Sequence, residues 1–426
     1  MSTNTYQPGR AWFMTILLAL FMLINFIDKV GIGLVAVPMM TELKLTPTEF
    51  GFIAGSFFWL FSISGVVGGF LANRFSAKWI LMVLVVIWSL AQLPIILSSS
   101  IAMIVVSRVV LGIGEGPASP VAFHACYKWF PDAKRNLPIS VINLGSSIGL
   151  LMAGFSVPLI TAHHGWRFNF VVMAVVGVGW GLLWLVFGAE GKIVGDGAAA
   201  SPGKTAALTR RLPYRVLLTD PTVWGVWVLH FMAFWGLALT LTWLPAYLQK
   251  GLGFEAVTSG RLFALVVLIN VPISLGLSAW SQRLLARGTS ARKGRAVLSS
   301  LSLMAGGALF VALMFVPMSP MGKVYLLAVA SGLTPVIYSL GSAMMASVSP
   351  DSQRGAMLSI QNSIASIAGV AAPVVMGRLI ETTSGSVASG YEHGFAVTGV
   401  LLILGGVVGL IWVNPERSMA HLSKLR

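Results

Sequence analysis

Residues 103–129 read MIVVSRVVLGIGEGPASPVAFHACYKW, a run long and apolar enough to cross a bilayer that still carries Arg108 and Glu115. An ionisable side chain at mid-membrane costs roughly 2.5–3.5 kcal/mol on insertion scales, so such residues turn toward a bundle interior or a wet cavity. Seven residues are about two helical turns, roughly 10.5 Å of rise, which puts both side chains on nearly one helix face. A cation and an acid stacked along one face suit a pathway for an anion and a proton. A static structural pair is the plainer alternative.

The rest of the chain supplies the neighbours such a helix needs. Of the residues 56% are hydrophobic and 10% charged, the balance of a polytopic helical membrane protein. The chain has 426 residues, room for about twelve spans of roughly 20 residues each. Twelve apolar runs lie at 11–38, 49–73, 78–97, 101–126, 136–160, 168–188, 221–247, 258–281, 295–316, 322–346, 355–378 and 393–413. The first is too long for a signal-peptide core and has no small-residue cleavage site behind it. The one long polar segment, around 189–220, is rich in Gly, Ala, Ser and Pro with Arg210, Arg211 and Arg215. The expected architecture is therefore all-α: twelve transmembrane helices in two pseudo-symmetric six-helix bundles. An N-terminal bundle covers 1–188, a cytoplasmic central loop 189–220 and a C-terminal bundle 221–426.

A net charge of +15 invites a nucleic-acid reading, but the basic residues sit in short loops between apolar runs. With the N-terminus inside, 20 of the 28 lysines and arginines fall in inner loops, six in outer ones, and Lys29 and Arg108 within spans. The positive-inside rule then puts both termini and the central loop in the cytoplasm. The single cysteine, Cys126, says nothing about redox compartment. The loops GGFLANRFSAK (68–78) and SAWSQRLLAR (278–287) echo each other between the halves, as expected of internal repeats.

The first of these loops resembles the G-x-x-x-D-R-x-G-R-R loop of the major facilitator superfamily through Gly69, Asn73, Arg74 and Lys78. Asn73 replaces the usual acid, which weakens the charge relay that this gating loop provides in the family. NFIDK (25–29), GSFFW (55–59), RVVLGIGEGPASP (108–120), WFP (129–131), TWLPAYL (242–248) and Gln361–Asn362 are together similar to the anion:cation symporter family. That family includes D-galactonate, hexuronate, aromatic-acid, sialic-acid and vesicular glutamate transporters. The resemblance implies alternating access and, in bacterial members, proton-coupled import of an organic anion. It implies protonation sites at Asp28 and Glu115, an arginine pairing with them at Arg108, and an anion ligand at Lys29. Bacterial members usually have arginine at the last position. The change matters, because arginine grips a carboxylate with a bidentate fork and lysine acts as a point charge.

The same logic stands without the family. Asp28 and Glu115 nearly balance Lys29 and Arg108. An ionised Glu115 competes with a substrate anion for a cation, and protonating it frees that cation, so proton and anion binding assist each other.

In the second half, Asn362 matches a family position that contacts substrate oxygens, while Gln361, Tyr338 and Ser342 are polar pocket candidates. His230 reads as a satisfied core histidine, a proton sensor or a substrate contact. Sugar-acid carriers of the family have two tyrosines and a glutamine where this chain has Phe26, Phe61 and Ser146. With Trp59 nearby, a less polar or aromatic carboxylate fits slightly better than a sugar acid.

Close-packing glycines account for GIGEG, which lies in a span rather than after a strand. Six histidines and one cysteine assemble neither a metal cluster nor a catalytic triad. No enzyme activity and no cofactor beyond the coupling proton are expected. The expected partners are a small organic anion and the lipid bilayer, with no nucleic acid, and the chain is expected to be a monomer in a bacterial inner membrane. Efflux by proton antiport is the alternative; the two buried cations disfavour it. A membrane sensor would need a signalling domain for which the loops leave no room.

Overall fold

A computed structural model describes residues 6–72, 74–131, 134–191, 212–350 and 353–424. Among them are twelve helices long and apolar enough to cross a membrane: Pro8–Leu34, Pro47–Leu71, Ala77–Leu97, Ile101–Tyr127, Asn136–His164, Trp166–Phe187, Pro221–Thr242, Ala256–Ala286, Arg292–Phe315, Pro320–Val348, Arg354–Thr382 and Val387–Trp412. All twelve expected spans are present. Most of their ends lie a few residues from the apolar borders, because prolines and caps, not hydropathy, set where a helix begins. Pro8, Pro47, Pro221 and Pro320 open four of them, at the position where a missing N–H costs nothing. The Asp220 carboxylate accepts from the backbone N–H of Thr222 at 2.8 Å and caps the seventh span.

The chain divides into two compact units. One holds Met1–Lys44 and Ser56–Lys204, the other Leu45–Gly55 and Thr205–Arg426. Apolar side chains that a water-soluble protein would bury, such as Leu97, Val186 and Phe315, lie open on the helices, as lipid-facing residues do.

Within the first unit the first and fifth spans touch backbone to backbone. A Cβ on Gly145 or Gly149 would run into the carbonyl oxygen of Ala19 or Leu23. Glycines four apart open one helix face to close approach. The fourth span meets the second in the same way, a Cβ on Gly112 colliding with the Phe57 carbonyl.

Five spans are not continuous α-helices. The second pauses between Pro47–Ser56 and Phe61–Leu71, and the third at Gln92, between Ala77–Ala91 and Leu93–Leu97. The fourth pauses between Ile101–Glu115 and Ala118–Tyr127, and the tenth between Pro320–Leu333 and Val336–Val348. The ninth opens with a π turn over Arg292–Val297. Pro117 and Pro335 lie in the breaks of the fourth and tenth, where proline removes a backbone donor and crowds the preceding turn. The seventh span, expected to run to 247, stops as a regular α-helix at Thr242. Leu244–Ala246 and a wide π turn over Tyr247–Gly251 continue it. In the second unit, Gln353 holds the end of the central linker with a pair of hydrogen bonds. Its amide donates to the Leu212 carbonyl at 2.8 Å and accepts from the Leu212 N–H at 2.9 Å.

Candidate functional site

In the first unit Asp28, Lys29, Arg108 and Glu115 lie well inside spans, away from the helix ends. Asn25 and Lys29 are one helical turn apart on the first span, so they share a face, and the Lys29 ammonium donates to Asn25 Oδ1 at 2.6 Å. The same ammonium stands 3.9 Å from Glu115 Oε2 of the fourth span. It also rests 4.5 Å from the ring centre of Phe26 and 5.3 Å from that of Phe61. The Arg108 guanidinium lies 4.9 Å from the ring centre of Phe57. Both cations therefore sit on aromatic faces, an arrangement worth about 2 kcal/mol or more where water is excluded.

The acids are differently treated. Asp28 and Glu115 are each 1% exposed, and no carboxylate oxygen of either accepts a hydrogen bond among the described residues. Arg108 is 2% exposed, and its Nε and Nη1 likewise lack an acceptor. The expected pairing of Arg108 with an acid is not made directly. No carboxylate of the described residues lies within 4 Å of it, and Lys29 is the cation that reaches Glu115. The reason lies in the second span. Its broken turn at 57–60 places the Phe57 ring under the guanidinium, and Gly112 lets that turn approach the fourth span. Ser146 is buried with an unpartnered hydroxyl, and Trp59 is 41% exposed on the broken turn.

Sequence reasoning missed Asn25 and Phe57. Both lie in stretches quoted for the family resemblance, NFIDK and GSFFW, and the i, i+4 spacing of Asn25 to Lys29 was a usable signal; nothing gave Phe57 a role apart from Phe58 beside it. Trp88, Ser89 and Gln92 of the third span also passed unnoticed. All three are buried, and the Trp88 Nε1, the Ser89 hydroxyl and both Gln92 amide atoms have no partner among the described residues.

In the second unit the candidates gather around His230. Its Nδ1 lies 3.0 Å from the Val226 carbonyl oxygen, and its Nε2 lies 2.8 Å from the Gln361 amide nitrogen. That nitrogen also donates to the Ser342 hydroxyl at 3.3 Å, and Ser342 donates to the Tyr338 carbonyl at 2.7 Å. The Tyr338 ring meets the imidazole edge-on, 5.7 Å between centres. The reading of His230 as a satisfied core histidine describes its two bonded nitrogens. It does not account for Gln361 Oε1 and the Tyr338 hydroxyl, which are buried and unpartnered. Asn362 is exposed on the same helix on which Gln361 is buried.

These two clusters lie in a chain whose relatives are recognisable. The profile described as Major Facilitator Superfamily matches residues 18–322 and 289–425. The chain belongs to this superfamily. Among its relatives, a probable sulfoacetate transporter of Cupriavidus necator is 30% identical, the alignment covering 93% of this chain and 92% of that protein. The hexuronate transporter of Bacillus subtilis is 25% identical, with 94% of each chain covered. Among solved structures, a bacterial homologue of the lysosomal transporter Spinster superposes with a TM-score of 0.80 at 18% identity. That alignment covers 97% of this chain and 98% of the other, and the likeness is one of fold.

Of the loop that resembles the superfamily's gating motif, Asn73 lies outside the described residues. Lys78 donates to the Leu185 carbonyl at 3.2 Å, and Arg74 is exposed. The glycine under steric constraint there is Gly68, whose Cβ would enter the Pro117 ring. Gly69 has open space around it. A groove of about 370 Å³ runs beside this packing, lined by residues such as Ser64, Leu71, Trp79, Ile113 and Pro117. Asp28, Lys29, Arg108 and Glu115 are not among the residues that line it in this major facilitator chain.

Proposed function

We propose that the chain is a proton-coupled symporter importing a small organic anion, a carboxylate, across a bacterial inner membrane by alternating access. The observation that carries the reading is the Lys29 ammonium, held between Asn25 at 2.6 Å and Glu115 at 3.9 Å inside a membrane-spanning unit. A carboxylate arriving at Lys29 competes with Glu115 for the same positive charge. Protonating Glu115 removes the competitor, and by linkage the bound anion strengthens proton binding by the same factor. Asp28 is the second proton carrier and Arg108 the second anion ligand. One proton per monoanion moves no net charge. Two protons add the membrane potential, about 2.3 kcal/mol per charge per 100 mV.

The names of the relatives, one a sulfoacetate and one a hexuronate transporter, support an anionic cargo. Within that class, Phe26 and Phe61 against the Lys29 ammonium, with Trp59 and Ser146 in place of longer hydroxyl partners, favour an aromatic acid slightly over a sugar acid. Gln361, Asn362 and Tyr338 are the substrate contacts assigned to the second unit. Gly69, Asn73, Arg74 and Lys78 form the gating loop. The protein acts as a monomer with both termini in the cytoplasm, using the proton as coupling ion and no bound cofactor.

The test is uptake by purified protein in liposomes under an imposed pH gradient, with 4-hydroxybenzoate, galactonate and a cationic dye as cargoes. Accumulation of either acid with the acidic side outside is the expected result. Dye extrusion without acid uptake would overturn the reading in favour of antiport.

A further inference from the structure

The bonding around His230 can be followed atom by atom. The Val226 carbonyl only accepts, so at 3.0 Å it requires a proton on Nδ1 of His230. A neutral imidazole then has a bare Nε2, which accepts. The group facing it at 2.8 Å must donate, and this fixes the Gln361 amide with its nitrogen toward the ring. Its oxygen is thereby turned away, and that Oε1 has no donor among the described residues. Tyr338, packed against the same imidazole, presents its hydroxyl, also without a partner.

The arrangement is built rather than incidental. Gln361 and His230 are each 3% exposed, and Gly341 faces the ring so closely that a Cβ would overlap Cε1. The same amide nitrogen also donates to the Ser342 hydroxyl at 3.3 Å, which holds it further in place. The cluster thus fixes one neutral acceptor and one neutral donor in a region where an unsatisfied polar group is costly.

We propose that Gln361 Oε1 and the Tyr338 hydroxyl form a specificity subsite for an uncharged hydroxyl group of the transported acid, oriented by the His230–Val226 relay. A hydroxyl matches both polarities, as a donor to Oε1 and as an acceptor from Tyr338. A carboxylate does not, because it has no proton for the amide oxygen. The assignment rests on the organic-anion reading above and deepens it: the cargo is a hydroxy acid. His230 is a positioning residue, acting through Gln361.

The test compares matched acids that differ only in hydroxyl groups, 4-hydroxybenzoate against benzoate and gluconate against hexanoate. Binding to the purified full-length protein is measured by thermal-shift titration. In the wild type at least one hydroxylated acid binds about tenfold tighter than its partner, the scale of one well-made hydrogen bond. In Tyr338→Phe that ratio falls to about one. Gln361→Leu removes the acceptor and brings the same collapse, and it decides alone if Tyr338→Phe does not yield folded protein. His230→Phe frees the amide to rotate and lowers the ratio without touching either subsite atom. A wild type that binds no hydroxylated acid more tightly than its partner overturns the proposal. So does a ratio that survives both substitutions. The same proteins in liposomes separate this outcome from that of the transport reading. Hydroxyl-selective binding without proton-driven uptake sinks symport alone, and proton-driven uptake with an unaltered ratio in the variants sinks the subsite alone.

Discussion

Lys29 carries one positive charge and has four neighbours for it: an amide oxygen, a carboxylate and two aromatic rings. Glu115 is the only one of these whose charge changes with protonation. Replacing it by glutamine keeps the shape and removes the titration, so Glu115→Gln is expected to abolish acid-driven accumulation while leaving exchange of labelled for unlabelled substrate. Counterflow and uphill uptake measured on the same liposomes check this, and uphill uptake retained by the variant would remove Glu115 from the coupling. The four charged residues were legible in the sequence because an ionisable group inside an apolar run is conspicuous for its cost. Their partners were not. Arg108 was expected to meet an acid two turns away on its own helix or on the first span. It lies instead on the ring of Phe57, whose position depends on how the second span breaks. The bond from His230 to Gln361 spans 131 positions, and helical periodicity carries no information at that range.

At the scale of the helix, hydropathy located the spans, while small local groups decided their ends and contacts. Gly145 and Gly149 open the fifth span to close approach, and the first span is the partner they approach. Valine at Gly145 cannot avoid the Ala19 carbonyl, so Gly145→Val is expected to cost about 1–3 kcal/mol through overpacking. Gly69→Ala, with nothing within 4 Å of the added carbon, is expected to leave stability nearly unchanged. Thermal unfolding of the two variants in detergent checks the contrast, and equal losses would contradict the packing.

A second element-scale prediction concerns the short helix Ala36–Leu43 after the first span. Glu42 there accepts from both Arg167 and the Trp166 indole, and the hydrogen bond from Arg167, then that from Trp166, hold its carboxyl below the usual value of 4.5. A depressed carboxylate contributes stability above its unfolded pKa and loses it as pH falls through the folded one. Glu42→Gln is therefore expected to lower the melting temperature more at pH 7 than at about pH 3. The carboxylate is half exposed, so the contribution at neutral pH stays below about 1 kcal/mol. A constant gap at both pH values would mean that the residue acts through shape alone.

At the scale of the whole chain, the first unit holds the charged groups Asp28, Lys29, Arg108 and Glu115 within its spans, and the second holds the neutral His230 cluster. The positive-inside rule adds a direction, because lysines and arginines in short loops resist translocation. The loop between the eighth and ninth spans alone carries Arg287, and the start of the ninth carries Arg292, Lys293 and Arg295. The loop between the eleventh and twelfth spans carries no lysine or arginine. These two connections should therefore lie on opposite sides of the membrane, the basic one inside. Ser290 and Ser384 are exposed in them, and the one native thiol, Cys126, is buried, so single cysteines at the two positions report cleanly in a Cys126→Ser background. In intact cells a membrane-impermeant maleimide is expected to label Ser384→Cys, and to label Ser290→Cys only after permeabilisation. The reverse pattern would invert the orientation, and the acid-outside gradient that drives import would then have to be reassigned to export. Labelling of both sites from one side would break the odd number of crossings between them, which twelve spans require.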